Sequence, residues 1–169
     1  MKKDLTKIKL FAMDVDGTLT DGTIYISGSG EFVKAFHVKD GYGIRAAQKA
    51  GITVAIITGR QSAIVEQRAK ELDIIEIHQG VSKKDEVLCE LADRLGLSRE
   101  ETAYIGDDDN DLSAMKVCGI SFAPCDCSNQ VRKQADVLLH KEGGRGAVRE
   151  AIDLILAAKD ERRKSDGGK

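Results

Sequence analysis

Asp14 and Asp16 end an apolar run (residues 8–13) and are followed by Gly17 and Thr18. In an extended chain, residues two apart point to the same side. Both carboxylates can therefore converge on one point, and Gly17 lets the chain turn sharply. Two carboxylates about 4 Å apart repel by roughly 4 kcal/mol at an effective dielectric of 20. A hard divalent cation would offset that term. Mg²⁺ is commonly held by one or two carboxylates plus a substrate phosphate. Thr58-Gly59-Arg60 follows a second apolar run, residues 52–57. A hydroxyl and an exposed N–H at a strand end can hold a phosphoryl oxygen. Lys83 and Lys84 come after Gln79-Gly80, and one ammonium there could neutralise phosphate and restrain a nucleophile. Gly106-Asp107-Asp108-Asp109-Asn110-Asp111 adds carboxylates just ahead of the next helix. The plainer reading of that acidic run is a helix cap favoured by the dipole, and Asp109 is expected to be only that.

Such residues need strands to present them. The run at 8–13 is mostly apolar, that at 52–57 is a continuous apolar run, and 102–106 leads into Asp107, as in strands buried on both faces of a parallel sheet. Amphipathic stretches at 40–50, 62–72 and 84–95 lie between them. A strand near 136–139 and a helix near 146–158 complete an alternating α/β pattern. The expected fold is a doubly wound, Rossmann-like parallel sheet, which binds ligands at the C-terminal ends of its strands. Residues 97–101 read as a turn or short helical turn, with Ser98 and Glu101 at capping-box spacing. Residues 23–38 break the pattern and read as a β-hairpin turning at Ser27–Gly30. Its Tyr25, Phe32 and Phe36 suit packing or an interface. The expected organisation is a single domain over 1–159 and a loose charged tail over 160–169.

The 169 residues carry 26 Lys and Arg against 28 Asp and Glu, a net charge of −2. Without a basic excess, nucleic acid is not expected as a partner. No apolar run approaches the roughly 20 residues of a membrane span, and Lys9 interrupts what could be a signal sequence. A cytoplasmic location is expected. Cys125 and Cys127 form C-x-C rather than a paired zinc motif, and reduced thiols are expected for all four cysteines.

The ordered series D-x-D-G-T, T-G-R, Lys and G-D-D-x-x-D, spanning Asp14 to Asp111, resembles the haloacid dehalogenase superfamily of phosphatases. The resemblance implies that Asp14 is a nucleophile forming an aspartyl-phosphate, and that Asp16 protonates the leaving oxygen and then activates water. Thr58 would bond the phosphoryl group and Lys84, rather than Lys83, would stabilise its charge. Mg²⁺ would take Asp14, the Asp16 carbonyl and Asp107, with Asp108 and Asp111 orienting that shell. Only 44 positions separate Asp14 from Thr58, and 26 separate Thr58 from Lys84. Neither interval has room for a cap domain, so closure must come from elsewhere, such as self-association.

Asp21-Gly22, Lys34 to Arg45, Ile57 to Arg60, Gln79-Gly80 with Lys84, and Gly143 to Glu150 carry a narrower resemblance, to the 3-deoxy-D-manno-octulosonate 8-phosphate phosphatases. It implies a homotetramer whose hairpins pack together and whose Gly143–Gly146 segment reaches a neighbouring active site. That segment could instead be a plain loop. The implied substrate is an anionic sugar acid phosphate used in lipopolysaccharide synthesis. Arg45, Arg60 and Arg68 could bind its carboxylate, with Arg60 and Arg68 on one helix side if Arg60 starts the helix. Gly59 would offer its N–H, and His37, Val38, Lys39, Asp40 and Gly41 would face the sugar. His37 stands where some relatives carry Asn, and either can bond a hydroxyl. Two alternatives remain: a phosphatase of a nine-carbon sugar acid 9-phosphate, whose members carry Glu where Arg60 stands, and a phosphoacceptor module without turnover.

Overall fold

The computed structural model describes residues 3–166. A six-stranded, all-parallel sheet runs in the order β5-β4-β1-β6-β7-β8. The strands are β1 (Leu10–Met13), β4 (Thr53–Ile57), β5 (Glu76–His78), β6 (Thr102–Ile105), β7 (Ile120–Ala123) and β8 (Val137–Leu138). Alternation of side chains divides the core in two. Phe11, Met13, Val54, Ile56, Ala103 and Ile105 face one layer, whose helices are α1 (Val38–Lys49), α2 (Ala63–Glu71) and α6 (Ala147–Asp166). Leu10, Ala12, Ala55, Ile57 and Tyr104 face the other. There the helices are α3 (Lys84–Arg94), α4 (Leu112–Val117) and α5 (Asn129–Gln134). This is the doubly wound α/β fold that the apolar runs require, with no room for a cap between β1 and α3.

β1 lies at the centre because it is apolar on both faces, and all four of its residues are buried. The chain winds from it to β4 on one side and returns to β6 on the other. Asp14 follows β1 at this switch point. Thr58 follows β4, and Gly106-Asp107 follows β6 on the same edge.

Three expectations need correcting. The hairpin is shorter than 23–38: β2 (Tyr25–Ser27) pairs antiparallel with β3 (Gly30–Val33), and Val38 already opens α1. β7 and α5 lie where no element was expected. Their segments are short, and Gly119, Pro124 and Ser128 punctuate them. The expected loose tail is helical as far as it is described, because α6 runs to Asp166. Residues 167–169 lie outside the described range. The turn at 97–101 is a single helical turn, Arg99–Glu101, with the Ser98 N–H donating to the Glu101 carboxylate at 2.8 Å. The described helices include none long and apolar enough to cross a membrane, and all four cysteines are free thiols.

The Gly-rich segment before α6 packs on the loop after β1. The Gly144 N–H donates to the Thr18 carbonyl at 2.9 Å. A Cβ on Gly143 would stand 1.8 Å from the Gly17 carbonyl oxygen. Within one chain the segment thus lies against the turn that carries Asp16 and Gly17. Backbone meets backbone here, so neither side can yield. Gly143→Ala is expected to cost about 1–3 kcal/mol, read as a fall in Tm of roughly 2–12 °C. An unchanged Tm would show that this contact is looser than its geometry.

Candidate active site

The strand ends bring Asp14, Lys84, Asp107 and Asp111 together. Lys84 is the first residue of α3, and its side chain is 1% exposed. Its Nζ lies 3.0 Å from Asp14 Oδ2 and 2.6 Å from Asp111 Oδ1. Burial works against that charge, but the two carboxylates hold the lysine pKa above its ordinary value. Lys83 is exposed and pairs with Glu86 at 2.6 Å. The structure thus brings Lys84 into the site and leaves Lys83 outside it.

Asp111 acts as a brace. Its Oδ1 also accepts from the buried Tyr104 hydroxyl at 2.7 Å, and its Oδ2 accepts the N–H groups of Asp107 and Asp108 at 3.0 and 3.2 Å. Asp107 accepts from the Thr18 hydroxyl at 2.9 Å. Gly17, at φ +88°, passes so close to Asp107 that a Cβ there would meet its Oδ2 at 2.0 Å. The exposed Asp108 carboxylate accepts the Asp109 N–H at 2.8 Å, and Asp108 and Asp111 form a reciprocal capping box in which each side chain accepts the other's backbone N–H. Asp109 accepts from Ser128 Oγ at 2.6 Å, which makes it more than a cap.

Asp14, Asp107 and Asp111 each offer an oxygen within 4.8 Å of the others. Asp14 Oδ1 is buried without a hydrogen-bond partner. Burial, then the Asp111 charge, push Asp14 up to about 6 against the pull of Lys84. Burial pushes Asp107 up to about 7, with Asp111 and Asp14 adding to it and the Thr18 bond opposing. Crowded carboxylates with a spare oxygen suit a hard divalent cation.

Asp16 does not join this cluster, although spacing suggested convergence with Asp14. The strand ends at Met13 and Asp16 lies in the turn beyond it, where the two-residue rule no longer applies. Its Oδ1 is bonded by Lys34 Nζ, and its Oδ2 lies 3.7 Å from Arg60 Nε. Lys34 opens a stretch that carries the narrower resemblance, but no role follows from it for Lys34 or for its partner Glu31, since charged side chains in an exposed hairpin read as solvated. Tyr104 was hidden in the same way, inside an apolar strand. Thr58 is buried at the end of β4, with Gly59 and the half-exposed Arg60 behind it. Arg60 precedes Ser62, the N-cap of α2. It is therefore not on the helix face of Arg68.

The remaining candidates lie apart. Arg45 pairs with Asp73, just before β5, at the opposite end of the sheet from the strand C-termini. Arg68 packs over the Phe36 ring, 5.6 Å from its centroid, and bonds Glu71 at 3.1 Å. With His37, Asp40 and Gly41 it lines a narrow cavity between α1 and α2 that neither Asp14 nor Thr58 reaches. Asp40 is buried, and its Oδ1 accepts the Arg149 N–H at 2.8 Å, which ties α1 to the start of α6. Val38 and Lys39 are exposed. Within one chain these residues do not meet the carboxylate cluster.

Both raised carboxylates hold protons in the folded protein at pH values where the unfolded chain has lost them, from 3.8 up to about 6 for Asp14 and about 7 for Asp107. Above that window their burial weighs against stability. A divalent cation must displace those protons. Added Mg²⁺ is therefore expected to raise Tm more at about pH 7.5 than at about pH 5.5, and to release protons on binding near pH 6.5. Calorimetry in two buffers of different ionisation enthalpy checks the second point. Equal effects at both pH values would exclude these carboxylates as ligands.

The sequence model of the haloacid dehalogenase-like hydrolases matches residues 70–152. The 3-deoxy-D-manno-octulosonate 8-phosphate phosphatase KdsC of Salmonella typhi is 46% identical over 151 residues, covering 89% of this chain and 80% of that protein. The cobalt-bound 8-phosphate phosphatase from Haemophilus influenzae superposes with a TM-score of 0.91 at 42% identity, over 93% of this chain and 92% of the other. The Moraxella catarrhalis phosphatase, solved with a magnesium ion, a phosphate ion and KDO, gives 0.90 at 44% identity, over 98% and 95%. On fold, motif geometry and these likenesses together, the chain belongs to the haloacid dehalogenase-like hydrolases, in the family of the 3-deoxy-D-manno-octulosonate 8-phosphate phosphatases.

Proposed function

We propose that this chain hydrolyses 3-deoxy-D-manno-octulosonate 8-phosphate through an aspartyl-phosphate on Asp14, with Mg²⁺ as cofactor. The observation that carries the reading is the buried Lys84 clamp on Asp14 beside Asp107, with Asp16 held separately at the mouth. The magnesium, phosphate and KDO bound by the Moraxella relative support the ligand set.

Lys84 aims the Asp14 carboxylate and favours its ionised form against the burial that raises its pKa, which a nucleophile requires. As the Asp14 oxygen bonds phosphorus, the bond from phosphorus to the sugar oxygen breaks. Its electron pair stays on that oxygen, which takes the Asp16 proton and leaves as an alcohol. Asp16, now a carboxylate, removes a proton from water as the water attacks phosphorus, and Asp14 is released with inorganic phosphate. Thr58 and the Gly59 N–H would hold the phosphoryl oxygens, while Arg60 stands where the sugar acid would enter. Asp14, Asp107 and the Asp16 carbonyl would hold Mg²⁺, whose charge would stabilise the phosphoryl group in transfer.

A homotetramer is part of the same reading. Ile24, Tyr25, Ile26, Phe32 and Val33 on the hairpin are all exposed, and clustered apolar side chains of this kind mark contact surfaces. Such an assembly could bring His37 to Gly41 or Arg68 of one copy toward another's site. A cytoplasmic role in lipopolysaccharide synthesis belongs to this proposal and rests on the family.

Phosphate release is the test, with Mg²⁺ and then EDTA, over the eight-carbon acid 8-phosphate, a nine-carbon acid 9-phosphate and simple sugar phosphates. The expected outcome is a Mg²⁺-dependent preference in kcat/KM for the eight-carbon acid. A preference for the nine-carbon acid would reassign the substrate, and a stable phosphoprotein without turnover would favour a phosphoacceptor. Asp14→Asn is expected to lower kcat by about 10⁴-fold or more with the fold intact. Near-normal activity in that variant would remove the covalent mechanism.

A further inference from the structure

Lys34 leaves the end of β3 and buries its side chain to 2% exposure, although the hairpin around it is largely in solvent. Lysine is almost never buried without a partner. Here there are two. The Nζ pairs with Asp16 Oδ1 and lies 2.8 Å from Glu31 Oε1. Glu31 Oε2 in turn accepts from Ser62 Oγ. Ser62 is the N-cap of α2, accepting the Val65 N–H at 3.4 Å. Asp16, Lys34, Glu31 and Ser62 therefore form one line from the turn after β1, through the hairpin, to the helix after Thr58-Gly59-Arg60.

One end of that line lies in the turn after β1 and the other caps α2, so Lys34 cannot shift without breaking a pair. Asp14 and Asp16 are two residues apart, yet one answers to Lys84 and the other to Lys34. With Oδ1 engaged by Lys34, Asp16 keeps Oδ2 on the side facing Arg60. We propose that Lys34 is a positioning residue. Its ammonium holds the Asp16 carboxyl away from the Asp14–Asp107–Asp111 cluster and toward the oxygen of the leaving alcohol. Lys34 keeps its own protons throughout; the proton given to the leaving oxygen is that of Asp16. The inference rests on the phosphatase reading and adds to it a residue outside the four motifs.

The test compares leaving groups. p-Nitrophenolate departs without a proton, whereas a sugar or alkyl alkoxide needs one. Lys34→Met is expected to lower kcat/KM for an alkyl phosphate by about 10²–10³-fold, and for p-nitrophenyl phosphate by less than about tenfold. Lys34→Arg should recover most of the loss. Asp16→Asn should show the same dependence on the leaving group, and the double variant should lose little more. Equal losses on both substrates, in variants matched to wild type in circular dichroism and light scattering, would reduce Lys34 to a hairpin brace. A raised KM with unchanged kcat would make it a substrate contact. Either result overturns the proposal. Should Lys34→Met not fold, Glu31→Gln decides. It loosens the second anchor and is expected to show a smaller loss with the same dependence, whereas equal losses reject positioning. Wild-type protein that hydrolyses neither ester would instead sink the phosphatase reading itself.

Discussion

Lys84 carries a positive charge into a place that water barely reaches, and two aspartates meet it there. The position is unfavourable on local grounds, because the N-terminal end of a helix repels cations. A first-turn lysine with its side chain buried makes sense only if the carboxylates came first. Asp14 and Asp111 also need the lysine, since without it they would crowd together with Asp107 and no compensating charge. The ammonium thus joins three stretches of chain that lie far apart in sequence: the end of β1, the start of α3 and the turn after β6. A local preference overridden in this way is expected at functional sites, where structure serves chemistry rather than stability.

The same economy of charge separates the two aspartates of the first motif. They are near neighbours in sequence and yet end in different electrostatic surroundings. Asp14 is buried beside Lys84, and Asp16 stands between Lys34 and Arg60. The divergence follows from where the strand stops. β1 ends at Met13, Gly17 takes a left-handed conformation, and Asp16 swings out on the turn between them. Two acids with one chemistry can take different tasks once their cations differ.

Much of this was legible in the sequence, for identifiable reasons. Largely apolar runs ending in Asp14, Thr58 and Asp107 announced a parallel sheet and its functional edge, because burial on both faces erases the alternation that exposed strands show. The four motifs and the choice of Lys84 came from resemblance, and the structure brings Asp14, Lys84, Asp107 and Asp111 together. Lys34 was illegible, because nothing local distinguishes a buried lysine from a solvated one. Charge and spacing nominate Arg45, Arg60 and Arg68 alike; within one chain Arg60 stands beside Asp16, whereas Arg45 pairs with Asp73 and Arg68 packs over Phe36. β7 was missed because four residues between a glycine and a proline are too few for a pattern.

The seam where Gly143 lies on the Gly17 carbonyl has a consequence for the order in which the protein can be made. Synthesis runs from the N-terminus, and domains generally fold as the chain emerges. The turn bearing Asp14 and Asp16 is produced before its neighbour across the seam, which follows some 126 residues later. A nascent chain that has reached the end of β8 already holds every acidic residue of the cluster and Lys84 as well. It still lacks the wall behind Gly17. Assembly of the site is therefore tied to synthesis past Gly143, and a product that stops before it would carry the reactive groups on a loop with nothing to lean on.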